Sequence, residues 1–153
     1  MTTQLAVPAS GIQRPIATSV TLAALSAYVL ANLLCLAVAS ITLRAGASEQ
    51  FSPLAPTRFG GYVVLASIAG SLAWAAIRRQ ARDPHRVLSL LMPAVALVSM
   101  GADGVLGVTR ALPGTTWTGV AGLMVMHLVI LGCVVVANQY FSPVRRLVRT
   151  RHH

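Results

Sequence analysis

Residues 17–43 read ATSVTLAALSAYVLANLLCLAVASITL, twenty-seven consecutive positions without a charged side chain. At a rise of about 1.5 Å per residue, roughly 20 helical residues cross the ~30 Å hydrocarbon layer of a bilayer. The run is therefore long enough to span even when tilted. AVAS and RAGA near its end imitate small-residue cleavage sites, but a secretory h-region is only about 7–15 residues long and follows a more basic lead. The segment is read as a retained membrane helix.

Three further apolar runs follow, over about residues 59–77, 87–108 and 117–138. The chain is 56% hydrophobic and 10% charged, too few charges to keep a globule of this size wet, since soluble domains carry about 25%. The expected fold class is all-α, a polytopic four-helix transmembrane bundle. It has a polar lead over 1–16, a membrane domain over 17–142 and a basic tail over 143–153.

The formal net charge is +9, and all twelve basic residues are arginine. They cluster at the ends of apolar runs, where topology signals and contacts with anionic membrane lipids belong. No basic stripe with interleaved readers suggests nucleic acid. With the N-terminus inside, the cytoplasmic set is Arg14, Arg78, Arg79, Arg82, Arg86, Arg145, Arg146, Arg149 and Arg151, against Arg44, Arg58 and Arg110 outside. Nine against three predicts cytoplasmic termini and a multi-pass protein of the cell (plasma) membrane. His152 and His153 receive no role. Trp117 at one end of the fourth span, and Tyr140 with Phe141 at the other, suit interfacial aromatic belts.

Small residues crowd the second span. Ala66 with Gly70, and Ser67 with Ser71, are small-xxx-small pairs that let helix backbones approach. In the third span, Pro93 and Gly101 are tolerable if neighbours satisfy the freed backbone groups. Cys35 and Cys133 lie inside spans, without zinc spacing or a CxxC motif, and read as packing residues unless the first and fourth helices meet at matching depth.

Ionisable groups at membrane depth are expensive, so each requires a reason. Two occur, Asp103 and His127. The short turn between the third and fourth helices makes those helices antiparallel neighbours. Counting residues from the turn places the two side chains roughly 6–10 Å apart in depth, suited to a bridging water or a ligand more than to a direct bond. One reading is a polar pocket in which Asp103 acts as anion or base and His127 as a proton carrier. The other is a shallow Asp103, capped by Ser99 and water, with His127 bonded to a neighbouring helix. In the first span, Thr21, Tyr28, Asn32 and Cys35 share one face, serving as interhelical glue or as pocket lining. Met124, His127, Leu131 and Asn138 share a face in the fourth, and Met100 and Met124 are candidates for an adaptable wall.

The stretch LMPAVALVSMGADGVLG (91–107), the Gly-Thr-Thr-Trp turn and GVAGLMVMHLVILGCVVV (119–136) with a basic tail resemble a family of uncharacterised four-helix membrane proteins found mainly in actinobacteria. That family has an Asp late in the third helix and a Met-His pair in the fourth, matched here by Asp103 and by Met126-His127. Ala102-Asp103 stands where many members have Pro-Asp. The resemblance brings no activity with it.

The function expected from these residues is a small membrane protein of unknown activity with an intramembrane pocket. Its candidate lining is Asn32, Tyr28, Asp103, Met124 and His127, its ligand apolar or amphipathic. His127 and Asp103 are the candidates for non-redox acid–base chemistry. No cofactor or metal is implied, since the sequence has no metal set, phosphate loop or nucleophile elbow. The alternatives are an accessory or assembly subunit, or a homo-oligomer, docking through Ala66, Gly70 and Ala73, and a small transporter. Proton-coupled exporters of similar size resemble one another in a membrane-embedded Glu in the first helix, where this chain has only Asn32.

Overall fold

A computed structural model describes residues 16–144; residues 1–15 of the polar lead, with Arg14, the arginines at 145, 146, 149 and 151, and His152 and His153 lie outside the described residues. Four helices run α1 Ile16–Arg44, α2 Pro56–Gln80, α3 Pro84–Thr109 and α4 Trp117–Phe141. Each is long and apolar enough to cross a membrane, and the described chain is a four-helix bundle without strands. Two loops, 45–55 and 111–116, share one end. The short 81–83 connection marks the other.

Every helix outruns the apolar segment that signals it. Pro56 and Pro84, which lie outside the apolar runs, each occupy the first turn of a helix. Proline is tolerated there because its missing N–H would have had no intrahelical partner. Asp83 caps α3 by accepting from the Arg86 amide at 3.1 Å, and Thr116 caps α4 by accepting from the Gly119 amide at 3.1 Å. Arg110 ends α3 in the left-handed region (φ 48°).

The 45–55 segment is also more than a connection. It holds the short helix Ser52–Leu54 and buries Ala47, Phe51 and Leu54 against the bundle. Gly114 (φ +70°) lies against Ser48 and the backbone of Gln50 and Phe51, so any Cβ there would collide with the neighbouring loop.

α4 is the central helix and packs on all three others, while α3 is held mainly by α4. The α1–α4 seam is built on size. Ser19, Ala23, Ala27, Ala31, Cys35 and Ala39 are buried at intervals of four residues, forming a ladder of small side chains along one face. α4 answers with Gly122, Cys133 and Ala137. A Cβ on Gly122 would collide with the side chain of Thr42. Both cysteines are free and buried in this seam.

The buried face of α1 differs from the expected polar one. Thr21 is exposed, its hydroxyl donating back to the Ala17 carbonyl at 2.9 Å. Tyr28 and Asn32 are half-buried. Of that set only Cys35 is fully enclosed. The reason is packing distance: helices settle on the face that lets backbones come closest, and small residues permit more contact than a self-bonded threonine.

Candidate intramembrane site

Asp103 and His127 touch. The Nδ1 atom of His127 lies 2.8 Å from Asp103 Oδ2, correcting the larger separation expected from counting turns. Helical Cα–Cβ bonds tilt toward the helix N-terminus. α3 approaches the loop end and α4 leaves it, so the Asp103 side chain leans away from that end and the His127 side chain toward it. The two tilts close the gap that a rise per residue leaves open.

The aspartate is not shallow either. Its side chain is only 6% exposed, against 38% for His127. Its close partner is the imidazole, and among the described residues it has no bond to Ser99. The buried residues of α3 are Leu88, Asp103 and Gly107. A carboxylate is thus one of three points at which this helix is enclosed.

The ring's hydrogen bonding follows from its neighbours. Nδ1 is aligned with the Leu123 carbonyl at 3.1 Å. A carbonyl only accepts, so this bond requires the hydrogen on Nδ1. Asp103 Oδ2 sits beside that axis, close to the nitrogen but without an aligned hydrogen bond of its own. In the neutral ring Nε2 is then the unprotonated nitrogen, and it has no hydrogen-bond partner among the described residues. An imidazole with a carboxylate beside Nδ1 and a free Nε2 can take a proton at Nε2, the carboxylate supplying the counter-charge for the imidazolium that forms.

His127 also lines a cleft of about 410 Å³ between α2 and α4 at the loop end. The walls are Phe59 and Tyr62 from α2 and Leu123, Met126 and Ile130 from α4, with Leu112, Pro53, Ser52 and Arg58 toward the loops. Volume and mixed lining suit a small amphipathic molecule. Asp103 is not part of this wall and reaches the cleft only through the imidazole.

The other candidate residues lie elsewhere. Asn32 approaches Gly60 of α2, its Oδ1 standing 3.8 Å from where a Cβ on that glycine would be. It does not join Asp103 and His127 in one cavity. Tyr28 packs on the apolar core. Met124 reaches toward Gly104 of α3, its Cε 3.8 Å from a Cβ placed there. The methionine in the cleft is Met126, not Met124. Its position was legible, because Leu123, Met126, His127 and Ile130 fall at the i, i+3, i+4, i+7 spacing of one helix face. Phe59 and Tyr62 sit three residues apart in the same way. Arg58 was legible only as a topology charge.

On α2, a Cβ on Gly70 would approach Val134 of α4 to 2.7 Å, and Ser67 and Ser71 are fully buried. Ala66 is half-buried and Ala73 exposed. This small-residue face therefore lies inside the bundle for most of its length. Asn138 ties the seam, its Nδ2 donating to Ser71 Oγ at 3.1 Å and to the Val134 carbonyl at 2.9 Å. Nearer the other end Trp74 Nε1 donates to the Ser142 carbonyl at 3.1 Å.

The chain matches no protein-family model, no curated protein and no solved structure. Its site is read from geometry alone.

Proposed function

We propose that this protein binds an apolar or amphipathic ligand in the cleft beside His127, and that His127, backed by Asp103, moves a proton on that ligand without a redox cofactor. The observation that carries the reading is the layering of the site. A buried carboxylate lies behind the imidazole, and a mostly apolar cleft lies in front of it. A histidine serving only to join helices has no need of an open face on a cavity.

The proposal includes a topology. The arginine count puts both termini in the cytoplasm of a cell whose plasma membrane holds the bundle, so the cleft opens toward the outer leaflet. Single-cysteine labelling with an impermeant reagent, in a background lacking Cys35 and Cys133, should modify residue 49 in intact cells and leave residue 82 unmodified. The reverse pattern would invert the bundle and turn the cleft inward.

The ligand reading is tested by purifying the protein into nanodiscs from its own membrane and extracting what it retains. A molecule enriched in the wild type and lost in Ile130→Trp, which fills the cleft, supports the reading. Equal lipid profiles from both proteins would sink it. Proton transfer adds a second readout: in D2O the wild type should exchange deuterium into the retained molecule, and His127→Ala should not.

A further inference from the structure

We propose that the ligand is an anionic amphipath, an apolar tail bearing one carboxylate or phosphate head, and that Arg58 holds the head; this rests on the cleft being the ligand site. The charges of the chain lead to this class. The whole sequence has three acidic side chains, Glu49, Asp83 and Asp103. Asp83 caps α3 at the opposite end of the bundle, and Asp103 lies against His127. Glu49 is exposed in the 45–55 loop, and no ion pair joins it to Arg58 among the described residues. Arg58, on the cleft wall, therefore has no acidic side chain to pair with among the described residues, which include all three. A forked donor set of this kind matches carboxylate and phosphate oxygens, and repels a cationic head.

The cleft grades from polar to apolar along its length. Arg58 stands in the first turn of α2, which begins at the loop end, beside Ser52. Leu123, Met126 and Ile130 continue the wall down α4, away from that end, over a rise of about 10 Å. α2 has no acidic residue in its first turn and no side-chain cap. The positive end of its dipole therefore acts in the same direction as Arg58. Head at Arg58 and tail along α4 is the orientation that pairs the charge and keeps the tail out of water. It brings the middle of the tail past His127, which lies between Met126 and Ile130 on that wall.

The test uses photo-crosslinking in nanodiscs of zwitterionic lipid, with three probes of one chain length carrying a diazirine in the tail. They are a carboxylic acid, the corresponding alcohol and the trimethylammonium. The full-length wild type should label in the cleft with the acid about tenfold above the other two, the scale of one charge-assisted contact. Arg58→Gln should reduce the acid to the level of the alcohol, Arg58→Lys should retain part of the preference, and Arg44→Gln and Arg110→Gln should leave it intact. If Arg58→Gln labels like the wild type, or if all three arginine substitutions lower the acid equally, the head-binding role is overturned while the cleft reading stands. If Ile130→Trp leaves labelling by every probe unchanged, the cleft is not the ligand site and both proposals fall together. Thermal unfolding of each variant separates loss of binding from loss of fold.

Discussion

α4 meets α1 and α3 through two seams that differ in kind. The α1 seam is long, made of alanine, glycine, serine and cysteine at four-residue intervals, and it contains no residue charged at neutral pH. The α3 seam is thin. Apart from Leu88, the enclosed points are Asp103, against the imidazole, and Gly107, where a Cβ would approach the Trp117 ring to 2.7 Å. One seam holds by close backbone approach, which in lipid is a main source of helix association. The other holds by a polar pair that hydrocarbon penalises unless it is partnered. The half-exposed imidazole sits where packing is sparse, because a side chain fully enclosed by neighbours has no face left open to a cleft.

The two seams should fail differently. The largest effect belongs to Gly122→Leu, since even its Cβ would enter the space of Thr42. A loss at the upper end of the ~1–3 kcal/mol range for overpacking is expected, read as a fall in detergent melting temperature and loss of monodisperse protein. An unaltered melt would mean that α1 and α4 do not approach as described. Gly70→Leu comes next. Val134 blocks the new side chain, and a destabilisation of about 1–3 kcal/mol is expected. No change there would turn that face of α2 toward lipid and favour the assembly-subunit reading.

The α3 seam should show coupling in place of steric damage. Asp103→Asn and His127→Ala, made singly and together, should depart from additivity by about 0.6 kcal/mol or more in a thermal or denaturant series. Additive effects would show that the 2.8 Å approach contributes nothing and would return His127 to a simple helix-joining role. The smallest effect is reserved for the face of α1 that its polar residues made attractive. Thr21→Val should stay within about 0.5 kcal/mol of wild type, because its hydroxyl is exposed and bonds its own helix. A larger loss would place an unseen neighbour on that face.

Part of the site could be read before any coordinates. Asp103 and His127 stood out because ionisable residues in apolar runs are rare, and the turn between α3 and α4 made them neighbours. The ladder from Ser19 to Ala39 is equally visible in the sequence at its four-residue period, but the polar groups of Tyr28 and Asn32 mark another face of the helix. In a membrane the hydrophobic pattern is nearly uniform around a helix, so it does not mark the buried face as it would in water. Size does, and the residues closest to the helix axis carry that signal.

The sequence alone determined the class and the number of elements. Bilayer thickness sets a length that four apolar runs satisfy, and backbone groups in hydrocarbon leave the helix as the way for such runs to cross. It also singled out the two ionisable residues, since the cost of burying them is a property of residue type and depth. Tertiary structure decided which faces meet, and hence that Met126 and not Met124 lines the cleft, that Asn32 turns to Gly60, and that Arg58 shares a cavity with His127. These depend on rotation about each helix axis and on the tilt of each Cα–Cβ bond, a few ångströms that rise per residue does not contain. A separation of several ångströms in depth became 2.8 Å for that reason.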